Sequence, residues 1–271
     1  MLRADAVCFV TGAAHGIGAA FARLAVARGR RVAIADVDAP AARALAAALG
    51  ERAGAIALDV RDPAAWERAL DDAWARWGRV DVLVQNAGLL HGGTLLEQSP
   101  EQLREMLDVN LMGVVHGLRA GVPRLARQSG GGHVVDVASL AGYVPLKGQA
   151  FYAATKHAVR ALHHAFALEQ AGGSVTFTLV CPGAVDTGML RQQVGADSNA
   201  MAFAARALAP ERVAEALWRA ATRRPREILL PAGGGFGARL LGAFPALLAR
   251  VTPHVERSGR AALRRLRGGD R

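Results

Sequence analysis

Tyr152 and Lys156 stand four residues apart in the stretch Tyr-Ala-Ala-Thr-Lys. In a helix they share a face, and an ammonium held beside a phenol favours the phenolate. A free phenol, with a pKa near 10, is a poor proton carrier in neutral water, so lowering that value makes a general acid/base. Lysine occurs only at positions 147 and 156 among 33 basic residues. A chain that otherwise uses arginine thus places one of its two ammonium groups here. Such a pair is common on helices and by itself specifies no chemistry; the segments that precede it narrow the choice.

Those segments are apolar runs, each ending in small or polar residues. Val7–Val10 reads as a strand that runs into Thr11-Gly-Ala-Ala-His-Gly-Ile-Gly18 and then a helical pattern through Phe21, Leu24 and Ala25. Gly12, Gly16 and Gly18 permit a tight turn and the close approach of a pyrophosphate to a helix N-terminus. The spacing is GxxxGxG, not the usual GxGxxG. A second strand, Arg31–Asp36, ends in an acid eighteen residues after Gly18, close to the spacing at which a carboxylate accepts hydrogen bonds from an adenosine ribose. Asp36 would repel a 2′-phosphate, and Val37 and Asp38 supply no cation, which favours NAD over NADP. His15, Arg30 and Arg31 argue in the other direction.

The alternation continues with helix 40–49, strand Ala55–Leu58 followed by Asp59 and Val60, and helix 63–77 carrying Trp66, Trp74 and Trp77 as packing residues. Strand 80–84 leads to Gln85-Asn86-Ala87-Gly88, helix 100–119 contains Asn110, and strand 133–137 ends at Ser139. After the helix of Tyr152 come strand 175–180, Pro182-Gly183, helix 210–223 and strand 227–230. Strands and helices in alternation, with the strands apolar throughout, predict an α/β fold: a single-domain, Rossmann-like, doubly wound parallel sheet with helices on both faces. Ligands of such sheets sit beyond the carboxyl ends of the strands, where the polar residues named above fall.

These motifs, in this order over about residues 5–230, resemble the short-chain dehydrogenase/reductase family. The resemblance implies Asn110, Ser139, Tyr152 and Lys156 as the catalytic four. It implies a cofactor site made from Thr11, Gly12, His15, Gly16, Ile17, Gly18, Asp36, Asp59, Val60, Asn86, Ala87, Gly88, Pro182, Gly183, Val185 and Thr187, with Tyr152 and Lys156 also touching the cofactor. Asp59 would sit beside the adenine and Pro182-Gly183 with Thr187 around the nicotinamide. Lys156 would also hold the nicotinamide ribose, and Asn110 a water that relays protons. Gln85 departs from the family pattern, where a second asparagine is more frequent. A homo-oligomer is expected, but the usual tetramer-closing segment is replaced after Pro231. An NADP-preferring aldehyde or ketone reductase, and a catalytically silent protein that senses a dinucleotide or binds nucleic acid through its basic tail, stand as alternatives. The intact catalytic four argues against the silent reading.

At 271 residues, 52% of them hydrophobic, the chain can bury a full core. Cys8 and Cys181 lie in apolar runs, as reduced thiols of a cytoplasmic protein would, and a disulfide is the alternative. No metal is expected, because His, Cys and Asp are scattered. The first eighteen residues are occupied by the strand and loop, which argues against a signal peptide. The net charge of +10 is uneven: residues 1–205 hold 19 Lys/Arg against 18 Asp/Glu, and residues 206–271 hold 14 against 5.

Residues 1–231 are expected to form the catalytic unit, with 188–209 as a flap, and 232–271 an apolar and then basic extension. Expected substrate-facing residues are Leu89, Leu90 and His91, the run Leu140–Val144 that includes Tyr143, and Ala184, Val185, Met189 and Leu190. This largely apolar set suits a small hydrophobic alcohol or ketone. Leu240–Ala249 is too short to span a bilayer and too apolar to lie fully in water. It must bury against the protein's own pocket, a partner subunit or an anionic membrane surface, beside a tail containing Arg250, Arg257, Arg260, Arg264, Arg265, Arg267 and Arg271. Nucleic acid is not an expected partner.

Overall fold

The computed structural model describes residues 2–195 and 197–268; Arg271 of the expected basic tail lies outside them. Seven strands form one parallel sheet: β1 (Val7–Thr11), β2 (Arg31–Asp36), β3 (Ala53–Ala57), β4 (Val82–Gln85), β5 (Gly132–Val137), β6 (Val175–Pro182) and β7 (Glu227–Leu230). Their spatial order is β3-β2-β1-β4-β5-β6-β7, so the chain reverses its direction of travel between β1 and β4. The crevice at such a reversal is where doubly wound sheets take ligands.

Side chains alternate across the sheet and divide the core in two. Val7 and Phe9 of β1 join Trp66, Leu83, Val134 and Leu179 on one face. Cys8 and Val10 join Phe21, Ile34, Val84, Val135 and Leu217 on the other. The first face is covered by α3 (Pro63–Trp77), α5 (Gly113–Arg127) and α6 (Ala150–Glu169), the second by α1 (Gly16–Ala27), α2 (Ala39–Leu49) and α8 (Pro210–Arg223). Trp66 stacks on Phe9 at 6.0 Å between ring centroids, which confirms it as a packing residue. Each such side chain contributes about 1.5–3 kcal/mol on burial. Both thiols are buried and free.

The boundaries shift in three instructive places. Strand β3 begins at Ala53, two residues early, because its register pairs Ala53 with Val32. Strand β6 runs on to Pro182, which pairs with Leu230. The helix expected over 100–119 is interrupted. A short helix, α4 (Pro100–Leu107), starts at a Ser99/Gln102 capping box and passes into a wide π turn over Asp108–Met112 before α5. The extra residue in that turn rotates Asn110 into the protein, where it is fully buried.

The flap contains a short helix, α7 (Gly188–Arg191), and two 3₁₀ turns. Beyond β7 the chain forms α9 (Ala232–Ala243) and α10 (Pro245–Gly268), so the basic end is helical where composition alone assigned nothing. Helix α10 docks on the flap. Leu263 joins Ala200 and Phe203 in a small core, Gly259 passes against the Ala200 carbonyl where a Cβ would not fit, and Lys147 reaches Glu256 at 2.9 Å. Among the described residues no helix is long and apolar enough to cross a membrane.

Candidate functional site

The carboxyl ends of β1, β2, β4, β5 and β6 open into a cavity of about 1140 Å³. At one end lies the glycine loop. Gly12 takes φ +61° and Gly16 φ +51°, a region that favours glycine. A Cβ on Gly18 would meet Ala13 Cα and Asn86 Nδ2, each at 2.8 Å, so the loop and helix α1 close only over a bare backbone. Thr11 and Gly18 lie beneath the cavity and support the loop. Thr11 Oγ1 accepts from the amides of Asn86 and Ala87, each at 3.0 Å, and Asn86 Nδ2 donates to the carbonyls of Thr11 and Gly12. Gly12, His15, Gly16 and Ile17 reach the cavity wall itself, and so do Asn86, Ala87 and Gly88.

Asp36, at the end of β2, also lines the cavity. Its carboxylate accepts from the amides of Ala14 and Asp38, each at 2.9 Å, which fixes the carboxylate against the loop. His15 Nε2 is 2.9 Å from Asp38 Oδ2, so the histidine weighed against NAD is already engaged by an acid. Asp59 and Val60 follow β3 on the same wall. Arg61 clamps Asp59 through contacts of 2.7–3.0 Å and thereby holds its carboxyl below the usual range.

The expected catalytic four come together on the opposite wall, with one in the layer behind. Ser139 follows β5; its hydroxyl accepts from Ala141 N at 3.1 Å and donates to Pro182 O at 3.3 Å. Tyr152 and Lys156 lie in the first two turns of α6. Asn110 sits behind them: its Oδ1 accepts from Leu89 N at 2.7 Å, and its Nδ2 donates to Leu89 O at 2.9 Å and Thr155 Oγ1 at 3.2 Å. Thr155 in turn donates to Tyr152 O at 2.8 Å, which ties the π turn to the catalytic helix. A Cβ on Gly88 would stand 3.5 Å from Asn110 Oδ1 and 3.6 Å from Lys156 Nζ, so this glycine lies against both polar groups.

Lys156 makes no hydrogen bond to Tyr152 among the described residues. Its Nζ donates to Val137 O at 3.2 Å and lies 5.8 Å from the Tyr152 ring centroid. Burial pushes Tyr152 up to about 12, opposed by the neighbouring Ser139 hydroxyl, which favours the phenolate. Burial pushes Lys156 the other way, to about 8, against attraction from Cys181 and Asp136.

Two expected substrate contacts also change role. His91 Nε2 pairs with Glu105 at 2.7 Å, and the Tyr143 hydroxyl bonds Glu227 with Arg160 3.9 Å above its ring. Neither lines the cavity; Leu89, Leu90, Leu140, Ala141, Val144 and Met189 do. Pro182, Gly183, Val185 and Thr187 line it too, as expected. Sequence reasoning missed Gln149, whose buried Nε2 has no partner. Of the segment Leu240–Ala249, for which the protein's own pocket was one of three expected places of burial, Leu241 of α9 and Leu248 of α10 reach the cavity, in a roof completed by Ala238, Val251 and Val255, which were not expected there. The helical spacing of those apolar residues was the available signal.

The fold and this site are those of a nucleotide-dependent oxidoreductase. The short chain dehydrogenase family model matches residues 6–197. A 3-alpha-(or 20-beta)-hydroxysteroid dehydrogenase of Mycobacterium tuberculosis is 38% identical over 183 residues, covering 68% of this chain and 70% of its own. A sorbitol dehydrogenase of Cereibacter sphaeroides is 38% identical over 180 residues, covering 65% and 69%. The crystal structure of a short-chain dehydrogenase/reductase from Burkholderia phymatum in complex with NAD is 30% identical, with a TM-score of 0.82 over 92% of this chain and 97% of that one. The chain belongs to the short-chain dehydrogenase/reductase family, and it is an NAD(P)-dependent oxidoreductase acting on alcohol or carbonyl groups.

Proposed function

We propose that the chain interconverts an apolar secondary alcohol and its ketone with NAD, and that Tyr152 carries the hydroxyl proton. The observation behind the reading is one cavity that joins the glycine loop and Asp36 at one end to Ser139, Tyr152 and Lys156 at the other. The residues fit a dinucleotide. The loop leaves bare backbone for a pyrophosphate, and Asp36 keeps lone pairs free beyond its two amide bonds for ribose hydroxyls. A 2′-phosphate would meet that carboxylate with like charge. The similar Burkholderia phymatum enzyme, solved with NAD, supports the same choice.

When bound, the nicotinamide supplies the hydride acceptor or donor. The chain's own groups handle the oxygen. Ser139 orients it and stabilises its partial negative charge. As the phenolate Tyr152 accepts its proton in oxidation, and as the phenol it returns that proton in reduction. Lys156, buried and cationic, gains a counter-charge as phenolate character develops, and it also reaches the cofactor ribose. Asn110 holds the turn beside Leu89 and a water for proton relay.

The similar enzymes act on substrates as unlike as steroids and sorbitol, so the substrate class is argued from the lining. That lining is apolar around the reacting groups, with Gln149 offering one unpartnered amide donor. It suits a hydrophobic body with a single acceptor oxygen and disfavours a polyol. A panel of apolar secondary alcohols and polyols, run with NAD and with NADP, tests this. The expected result is kcat/KM highest for apolar alcohols with NAD. Equal use of both cofactors, or preference for polyols, would overturn the corresponding half.

A further inference from the structure

Helices α9 and α10 have an outer side as unusual as the inner one that roofs the cavity. Phe236 is 72% exposed, Leu240 42%, Phe244 55% and Leu247 39%. Phe236 and Leu240 are four apart on one face of α9, and Phe244 and Leu247 continue from its end into α10. Beyond them Arg250, Arg257 and Arg264 repeat every seven residues, which puts them in one stripe along α10. All three are exposed and make no ion pair among the described residues. Residues 232–271 hold eight arginines against Glu256 and Asp270.

We infer that this outer surface docks on an anionic lipid bilayer. The four apolar side chains enter the interfacial region, and the arginine stripe lies along the headgroups. The charge decides between occupants. A second copy of this chain, net +10, would bring the same arginine stripe toward its own image. An anionic bilayer neutralises the stripe, and its acyl region takes up Phe236, Leu240, Phe244 and Leu247. A nucleic acid would satisfy the arginines but leave the apolar patch in water. Docking does not depend on the reaction proposed above. Its consequence does: an apolar substrate dissolved in the bilayer would be concentrated beside the helices that roof the cavity.

Flotation of the full-length protein with vesicles tests the inference without substrate. Vesicles of phosphatidylcholine alone are compared with vesicles containing one third phosphatidylserine, at low and high salt. Two variants accompany the unmodified chain: Arg250→Gln/Arg257→Gln/Arg264→Gln and Leu240→Ser/Phe244→Ser/Leu247→Ser. None of these six residues lines the cavity, so turnover of a small soluble alcohol serves as the folding control. The expected result is binding to the anionic vesicles alone, released by salt. The arginine variant should lose about a hundredfold in affinity, from roughly fivefold per arginine, and the apolar variant should also lose binding. No flotation at low salt, or binding indifferent to both variants, overturns the inference. Loss of a dimer in the apolar variant without any vesicle binding assigns the surface to a second copy instead. Duplex DNA binding as tight as vesicle binding, lost only with the arginines, assigns it to nucleic acid.

Discussion

Lys156 Nζ donates to the carbonyl of Val137 at 3.2 Å while lying 5.8 Å from the ring centroid of Tyr152, the group it is expected to serve. The ammonium is thus anchored by the end of β5, which also carries Ser139, and not by the phenol. Its burial, at 4% exposure, has a thermodynamic signature. The folded-state pKa is depressed from 10.5 to about 8. Between those values the unfolded chain binds more protons at this site, so its contribution to stability rises with pH. Below pH 8 both states are protonated and the full cost is present.

Lys156→Met should therefore be more stable than the unmodified protein at pH 7 and inactive. Its advantage should shrink by an amount of the order of 3 kcal/mol as pH rises from 8 to 10.5. The comparison is made as a difference between the two proteins because Tyr152, Cys8 and Cys181 titrate in the opposite sense. Each is raised to about 12 in the folded state and withdraws stability as pH climbs past its unfolded value. Urea denaturation at four pH values would measure it. A constant gap would show that Lys156 is not desolvated as described.

Asp36→Ala should narrow the preference for NAD over NADP by at least about tenfold in kcat/KM, since the like charge facing a 2′-phosphate is gone. It should also weaken NAD itself, because the amides of Ala14 and Asp38 lose their acceptor. Steady-state kinetics with both cofactors check this. An unchanged ratio would remove Asp36 from cofactor choice.

Asn110→Ala removes both side-chain bonds to the backbone of Leu89, which is half-buried at the cavity wall. A typical intramolecular hydrogen bond contributes about 0.5–1.5 kcal/mol. A fall in Tm should accompany a fall in turnover, whereas Asn110→Asp should keep one of the two backbone bonds and lose less stability. Equal Tm for Asn110→Ala and the unmodified protein would contradict the anchoring role.

Gln149→Leu fills the same space without the orphaned donor. Substrates that carry a second oxygen should lose about tenfold in kcat/KM, and those with a single hydroxyl should be unaffected. A uniform loss would mean that Gln149 only shapes the helix start.

The sheet, most helix limits and the line of polar residues at strand ends were legible because they rest on local pattern and on the position of Gly12, Asp36 and Ser139 after apolar runs. What was hidden depends on contacts between distant segments. Nothing near residue 110 announces a π turn, whose buried Asn110 bonds the backbone of Leu89, twenty-one residues earlier in the chain. Gln85, a visible departure from the family pattern, proves to donate to Asp136 at 2.8 Å, and Asp136 pairs with buried His163 at 2.6 Å. Three residues far apart in sequence form one internal network. Tyr143 and His91 were placed at the substrate by proximity in sequence, yet Glu227 and Glu105 draw them elsewhere. For Leu240–Ala249 the outcome is divided. Leu241 and Leu248 line the cavity and are half-buried, and Leu240, Phe244 and Leu247 remain at the surface.

The central claim is that Tyr152 carries the proton. Tyr152→Phe keeps the ring and removes only the hydroxyl. Its kcat should fall by about 10²–10⁴-fold with the best alcohol of the panel. The Kd for NADH, read from cofactor fluorescence in the absence of substrate, should stay within about threefold of the unmodified value. That pairing separates lost chemistry from a lost cofactor site. A Tyr152→Phe enzyme that binds NADH normally and turns over at the unmodified rate would contradict the account.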